Sequence, residues 1–232
     1  MTSLTTTPPR ATRLRGVLLD VDGTLIDSND AHANAWVDTF REFGIDAGTF
    51  ERVRPMIGMG GDKLLPAVTG LDHESKPAKR MTAWRMERFA STYLPTLRAF
   101  PGAHELLARF AEDGLRLVVA TSAKRDELND LLEQAGLAEL IDRKTSSSDA
   151  DHSKPDPDII DAALRRGELR ADDVLMLGDT PYDIEAAASA GVRTVALRCG
   201  GWDDRRLADA IEIHDDAAAL ARNYDQSVFR RV

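Results

Sequence analysis

Asp20 and Asp22 stand one residue apart at the end of an apolar run, Gly16-Val17-Leu18-Leu19, and Gly23-Thr24 follow directly. Three further polar clusters draw the eye. Thr121-Ser122 end a second apolar run, Gly178-Asp179 close a third with Asp183 four residues on, and Lys154 precedes Pro155 in a polar loop. Each piece alone has an ordinary explanation, because Asp, Ser and Thr are frequent turn and cap residues, and Ser122 could simply cap a helix. As a set they point to one site. Carboxylates gathered in a single crevice repel one another unless a cation lies among them, and oxygen-only donors suit a hard ion such as Mg²⁺. Two other loops fail. An EF-hand needs a third ligand before its glycine and a glutamate at position twelve, whereas Gly23 comes fourth here; Gly58-Met59-Gly60-Gly61-Asp62-Lys63 lacks the spacing of a Walker nucleotide loop. That glycine-rich stretch reads instead as a turn facing substrate.

The elements that must position these residues follow from hydrophobic pattern. Residues 16–19, 115–120, 174–177 and 194–197 are short, continuous apolar runs of the kind buried on both faces of a parallel sheet. Helical patterns alternate with them: Pro101 to Asp113 sets Leu106, Leu107 and Phe110 on one face, and Arg125 to Ala135 does the same with Leu128, Leu131 and Leu132. Pro157 and Pro181 suit first helical positions after Asp156 and Thr180 as N-caps. The implied architecture is α/β, a doubly wound parallel sheet with right-handed crossovers. Ligands of such sheets sit beyond the carboxyl ends of the strands, which is where the polar clusters lie. Between about Asp30 and Ala99 the rhythm breaks. Trp36, Phe40 and Phe43 recur at helical spacing and read as core, and Ser75 to Tyr93 continues as charged, amphipathic helix, so the segment is expected to be a helical lid inserted after the first strand. Another helix with a basic end is expected after Asp215.

Composition narrows the function classes. The chain has 232 residues, 43% hydrophobic and 30% charged, with no apolar run near the roughly 20 residues needed to span a bilayer. A formal net charge of -9 opposes nucleic-acid binding and requires a local positive site for any anionic substrate. Cys199 is the single cysteine, so no internal disulfide is possible, and it reads as a packing residue in a reducing compartment. Met1 to Arg15 has Thr, Pro and Arg but no acidic residue and no apolar signal core. It is read as a disordered tail over residues 1–13 rather than a transit peptide, and the protein as cytoplasmic.

In this order and spacing the motifs Asp20-Val21-Asp22-Gly23-Thr24, Thr121-Ser122, Lys154-Pro155 and Gly178-Asp179 with Asp183 resemble the haloacid dehalogenase superfamily, in its phosphoglycolate-phosphatase and β-phosphoglucomutase-like branch with a helical cap. The resemblance runs from Arg13 onward and departs at none of these positions. It implies a Rossmann-like core over residues 14–29 and 100–232, a cap over residues 30–99, and a Mg²⁺-dependent phosphatase of small phosphorylated metabolites. Asp20 would be the nucleophile forming an aspartyl phosphate, and Asp22 the general acid and base, kept protonated at the outset by neighbouring carboxylates. Asp20, the main-chain carbonyl of Asp22, Asp179 and Asp183 would hold the metal, while Thr121, Ser122 and Lys154 would bind the phosphoryl oxygens.

Within the same family the rival is a phosphosugar mutase, whose histidine position is occupied here by His32. Thr24 and Gly178 fit the phosphatase pattern better, and His32 itself reads as an ordinary helix histidine rather than a contact to the leaving group. Dehalogenase and phosphonatase branches lack a carboxylate at the position of Asp22. A non-catalytic receiver-like module lacks both that acid and the long insert. The resemblance leaves a monomer or a homodimer open.

Overall fold

The computed structural model describes residues 14–231. The tail expected over residues 1–13 lies outside them, as does Arg13, where the resemblance begins. A six-stranded, all-parallel sheet has the order β3-β2-β1-β4-β5-β6. Its strands are β1 (Gly16–Leu19), β2 (Arg116–Ala120), β3 (Arg143–Thr145), β4 (Val174–Gly178), β5 (Arg193–Leu197) and β6 (Glu212–His214). β1 pairs with β2 on one side and β4 on the other, so the chain leaves the middle of the sheet in both directions and opens a crevice at its carboxyl end.

Alternation along the strands divides the core. Val17, Leu19, Leu117, Val119, Leu175 and Leu177 face α5 (Ala103–Glu112), α6 (Arg125–Gln134) and α9 (Ala217–Arg222). Leu18, Val118 and Met176 face α7 (Asp158–Gly167) and α8 (Pro181–Ser189). Both faces are therefore dry, which is why the runs are continuously apolar. A short helix, α10 (Val228–Arg231), sets Phe229 against Phe110, their ring centroids 4.7 Å apart. Burying one such ring contributes about 1.5–3 kcal/mol.

Between β1 and α5 the chain is helical: α1 (Asn29–Glu42), α2 (Phe50–Val53), α3 (Gly61–Thr69) and α4 (Lys76–Arg88). They enclose a separate apolar cluster in which Trp36, Phe40, Leu64, Leu65 and Met81 are buried and Phe43 is half-buried. The outgoing and returning chains run side by side: Phe100 N donates to Leu25 O at 2.8 Å, Asp27 N to Arg98 O at 3.2 Å, and Ile26 bridges Ala99.

Three local expectations need correction. α5 spans Ala103–Glu112, with Gly102 at its N-cap, and not the whole of Pro101 to Asp113. α7 begins at Asp158, with Pro157 at the N-cap; Asp156 instead pairs with Lys63, and Asp158 accepts from His152 N at 3.0 Å. The sheet also carries two strands beyond the four apolar runs, β3 and β6, each three residues long on an edge where one side stays polar. No helix among the described residues is long and apolar enough to cross a membrane.

Candidate active site

β1 delivers Asp20 to the crevice, and Asp20 N donates to Leu177 O of β4 at 2.9 Å, so the residue is fixed between two central strands. Its carboxylate is 5% exposed. Lys154 Nζ, fully buried, lies 2.6 Å from Asp20 Oδ1 and 2.7 Å from Asp183 Oδ1. Thr24 Oγ1 is 3.0 Å from Asp20 Oδ2 and 2.8 Å from Asp179 Oδ1, yet has one proton to give. Asp179 Oδ2 accepts from Asn29 Nδ2 at 3.0 Å. Asp183 closes a capping box on α8, its Oδ2 accepting from Thr180 N and Thr180 Oγ1 at 3.0 and 2.7 Å. The Lys154–Pro155 bond that shapes the lysine loop is cis.

The backbone closes tightly on this cluster. Gly23 has φ +80°, and a Cβ there would meet Asn29 and Asp179. At Gly200 a Cβ would strike the Asp179 carboxylate. Cys199 is half-buried beside it, 3.2 Å from Gly23 O, and burial pushes its thiol well up, which fits packing rather than nucleophilic use.

Electrostatics suit the cluster to a cation. Burial raises Asp20 to about 7 against the pull of Lys154, with Asp183 and Asp22 adding to the rise. Asp179 is raised well above the carboxylate range by burial and then by Asp20 and Asp183. Burial works against the Lys154 ammonium, but Asp183 and Asp20 outweigh it and hold it charged. Oxygens of Asp20, Asp179 and Asp183 lie within 4.8 Å of one another, and Asp183 Oδ1 is met by the Lys154 ammonium at 2.7 Å. Three buried carboxyl groups share one lysine, and a cluster of oxygens so short of positive charge is the donor set a hard divalent ion takes.

The Asp22 side chain points elsewhere. Its Oδ1 accepts from Ser28 Oγ at 2.6 Å and lies 2.7 Å from His32 Nε2. Burial raises this carboxyl, but His32, then Ser28 and Arg85, more than reverse it, so the net shift is downward. The expectation that neighbouring carboxylates keep Asp22 protonated is thereby corrected: donors, not carboxylates, surround it. His32 is buried and stacked on Phe89 with centroids 4.2 Å apart. Arg85 hydrogen-bonds His32 Nδ1 and, through its other terminal nitrogen, Glu127 of α6. Arginine cannot accept, so Nδ1 must, and the ring carries its proton on Nε2 and donates it to Asp22. His32 is thus part of the site, against the reading of an ordinary helix histidine.

Thr121 Oγ1 accepts from Ala123 N at 3.1 Å, leaving its own proton free, whereas Ser122 Oγ donates to Gly58 O at 3.2 Å. Asp20, Asp22, Thr121 and Ser122 line a cavity of about 480 Å³ together with Trp36, Leu64 and Met86 of the helical segment. Gly58 to Gly61 form part of its wall. The helical segment is drawn against the core around this space: Asp62 Oδ2 accepts from Ser153 N at 3.3 Å, Arg54 Nη2 donates to Gly200 O at 2.8 Å, and Tyr182 Oη donates to Pro55 O at 2.8 Å. Asn29, Ser28, Arg85 and Glu127 were not foreseen from sequence. Ser28-Asn29 at a helix start reads as capping, and Arg85 and Glu127 lie on helices rich in surface charge.

The family model for haloacid dehalogenase-like hydrolases matches residues 17–197. A phosphoglycolate phosphatase from Rhodospirillum rubrum is 32% identical over 89% of this chain and 89% of its own. An N-acetylmuramic acid 6-phosphate phosphatase from Pseudomonas putida is 30% identical over 81% of this chain and 84% of its own. A hydrolase from Pseudomonas syringae has the same fold, with a TM-score of 0.84 at 28% identity over 91% of this chain and 98% of its own.

Proposed function

Because the chain belongs to the haloacid dehalogenase-like hydrolases, we propose that it is a phosphatase that removes the phosphoryl group from small phosphorylated metabolites in the cytoplasm, with Asp20 as nucleophile and Mg²⁺ as cofactor. The observation that carries the reading is the Asp20 carboxylate lining the cavity and held 2.6 Å from the buried Lys154 ammonium. Asp20 Oδ attacks phosphorus and the ester oxygen leaves, giving an aspartyl phosphate that water then hydrolyses. Asp20, Asp179 and Asp183, with the main-chain carbonyl of Asp22, would hold Mg²⁺, which offsets charge between an anionic nucleophile and an anionic phosphate.

Lys154 and the free proton of Thr121 bind phosphoryl oxygens where charge spreads in the transition state. Ser122 contributes its main-chain amide, its hydroxyl being taken by Gly58. Asp22 gives a proton to the leaving oxygen and takes one from the attacking water. A dianionic phosphate alongside favours the protonated form that the first step needs, and His32 steadies the carboxylate between steps. The helices of residues 30–99 act as a cap that excludes water and contacts the leaving group.

Asp20→Asn is the test. It should abolish phosphate release and labelling by ³²P-substrate in Mg²⁺ buffer; turnover retained in a well-folded variant would end the covalent reading. The relatives are named for leaving groups as different as glycolate and an acylated amino sugar, so the family alone does not fix what is cleaved.

A further inference from the structure

We infer that Glu127 is a specificity-determining residue: by masking Arg85 it makes the leaving-group end of the cavity accept neutral, hydroxyl-bearing groups of about hexose size and reject carboxylates. This rests on the phosphatase reading of the same site. Among the cations that line the cavity Arg85 is the most buried, 8% exposed on α4. A carboxylate ligand would grip an arginine best through its forked pair of terminal nitrogens. Here each terminal nitrogen already meets one acceptor, Nη1 Glu127 and Nη2 His32, which fixes the fork between two protein groups, and Nε is buried. Glu127, 9% exposed, is ion-paired with Arg85, so a second anion gains less from this guanidinium and would have Glu127 close beside it.

The other cations on the cavity wall do not change this. Lys79 is exposed and paired with Glu74 at 2.7 Å, and Lys124 is exposed at the mouth, where water screens it. Asp62, Glu74 and Asp151 on the same wall are all acidic. Size points the same way. A space of about 480 Å³ falls within the roughly 300–1,000 Å³ of pockets that take drug-sized ligands, and a two-carbon leaving group would leave most of it to water. Trp36, Ile57, Met59, Leu64, Ala83 and Met86 supply apolar surface that the carbon face of a ring would cover.

Four phosphate esters separate size from charge: hydroxyethyl phosphate, phosphoglycolate, glucose 6-phosphate and 6-phosphogluconate, with p-nitrophenyl phosphate as a general reporter of phosphatase activity. In the Mg²⁺-loaded protein, kcat/KM for glucose 6-phosphate should exceed that for 6-phosphogluconate by about tenfold or more, hydroxyethyl phosphate should likewise exceed phosphoglycolate, and the larger neutral ester should be the best of the four. Glu127→Gln, checked for folding by circular dichroism, should shrink both neutral-to-acid ratios by about tenfold, a change that a merely structural role would not produce. Phosphoglycolate or 6-phosphogluconate equalling its neutral counterpart would overturn the inference, as would ratios unmoved in a folded Glu127→Gln chain. If that chain does not fold, the ratios of the unmodified protein decide. Hydrolysis of p-nitrophenyl phosphate with none of the four esters cleaved refutes the substrate class and leaves the phosphatase reading standing. Failure on all five removes that reading, and the inference with it.

Discussion

Asp20→Asn should abolish activity and, without metal, stabilise the fold. The Asp20 carboxyl is raised from 3.8 to about 7 by burial and neighbouring carboxylates, even with Lys154 beside it. For a carboxyl raised on folding, the folded state binds the proton more tightly than the unfolded chain. Stability is then fully present below the ordinary value and is lost as pH rises through the folded one, here between about pH 4 and pH 7. Three units at about 1.4 kcal/mol each give up to about 4 kcal/mol at pH 8. Asparagine keeps the shape and never ionises. In EDTA at pH 8 the variant should therefore melt above the parent chain by about 10 °C, given roughly 2–4 °C per kcal/mol at this size, and the gap should narrow towards pH 4. Adding Mg²⁺ should raise the parent more than the variant, which has lost a ligand. Differential scanning calorimetry over pH 4 to 8 reads all three. A variant no more stable than the parent at pH 8 in EDTA, or a gap independent of pH, would refute the electrostatic account of the cluster.

Other outcomes follow from the same contacts. Lys154→Met should destabilise by about 3–5 kcal/mol in EDTA, read by urea denaturation, because it leaves Asp20 and Asp183 buried without their counter-charge. Gly23→Ala should cost more than about 1 kcal/mol and depress activity, since φ +80° and the approach of Asp179 both oppose a Cβ. His32→Asn removes the largest group lowering Asp22, so the limb of the kcat/KM profile that belongs to Asp22 should move to higher pH, with melting temperature as the control for folding. Tyr224→Phe loses a 2.7 Å bond to Asp113 far from the cavity and should cost about 1 kcal/mol with kcat unchanged.

What could be read in the sequence was set by how local its physical cause is. β1, β2, β4 and β5 announce themselves because burial on both faces demands runs of Leu and Val, with Met or Ala among them. β3 and β6 do not, since Arg143, Lys144, Glu212 and His214 obey edge rules that resemble loop composition. The same contrast governs the site. Asp20, Asp179 and Asp183 follow strands or open a helix, Lys154 stands beside a proline in a polar loop, and all four could be picked out as a set that the structure gathers. The chain from Asp22 through His32 and Arg85 to Glu127 joins residues over a hundred positions apart on three helices. Nothing in a charged stretch such as Lys79-Arg80 to Arg85 distinguishes the one arginine that packing buries. Asp22 itself was located, but its protonation depended on Ser28 and His32 reaching it, which spacing alone does not reveal.

The pairing of the two crossings at Leu25 to Asp27 and Arg98 to Phe100 has an evolutionary consequence. Entry and exit are stitched to each other rather than to the insert, so a foreign segment of almost any length could be spliced there without shifting the register of β1 against β2 and β4. The helices that face one side of the cavity can then be exchanged as a cassette, while β1, β2 and β4 keep their register and the carboxylates they position.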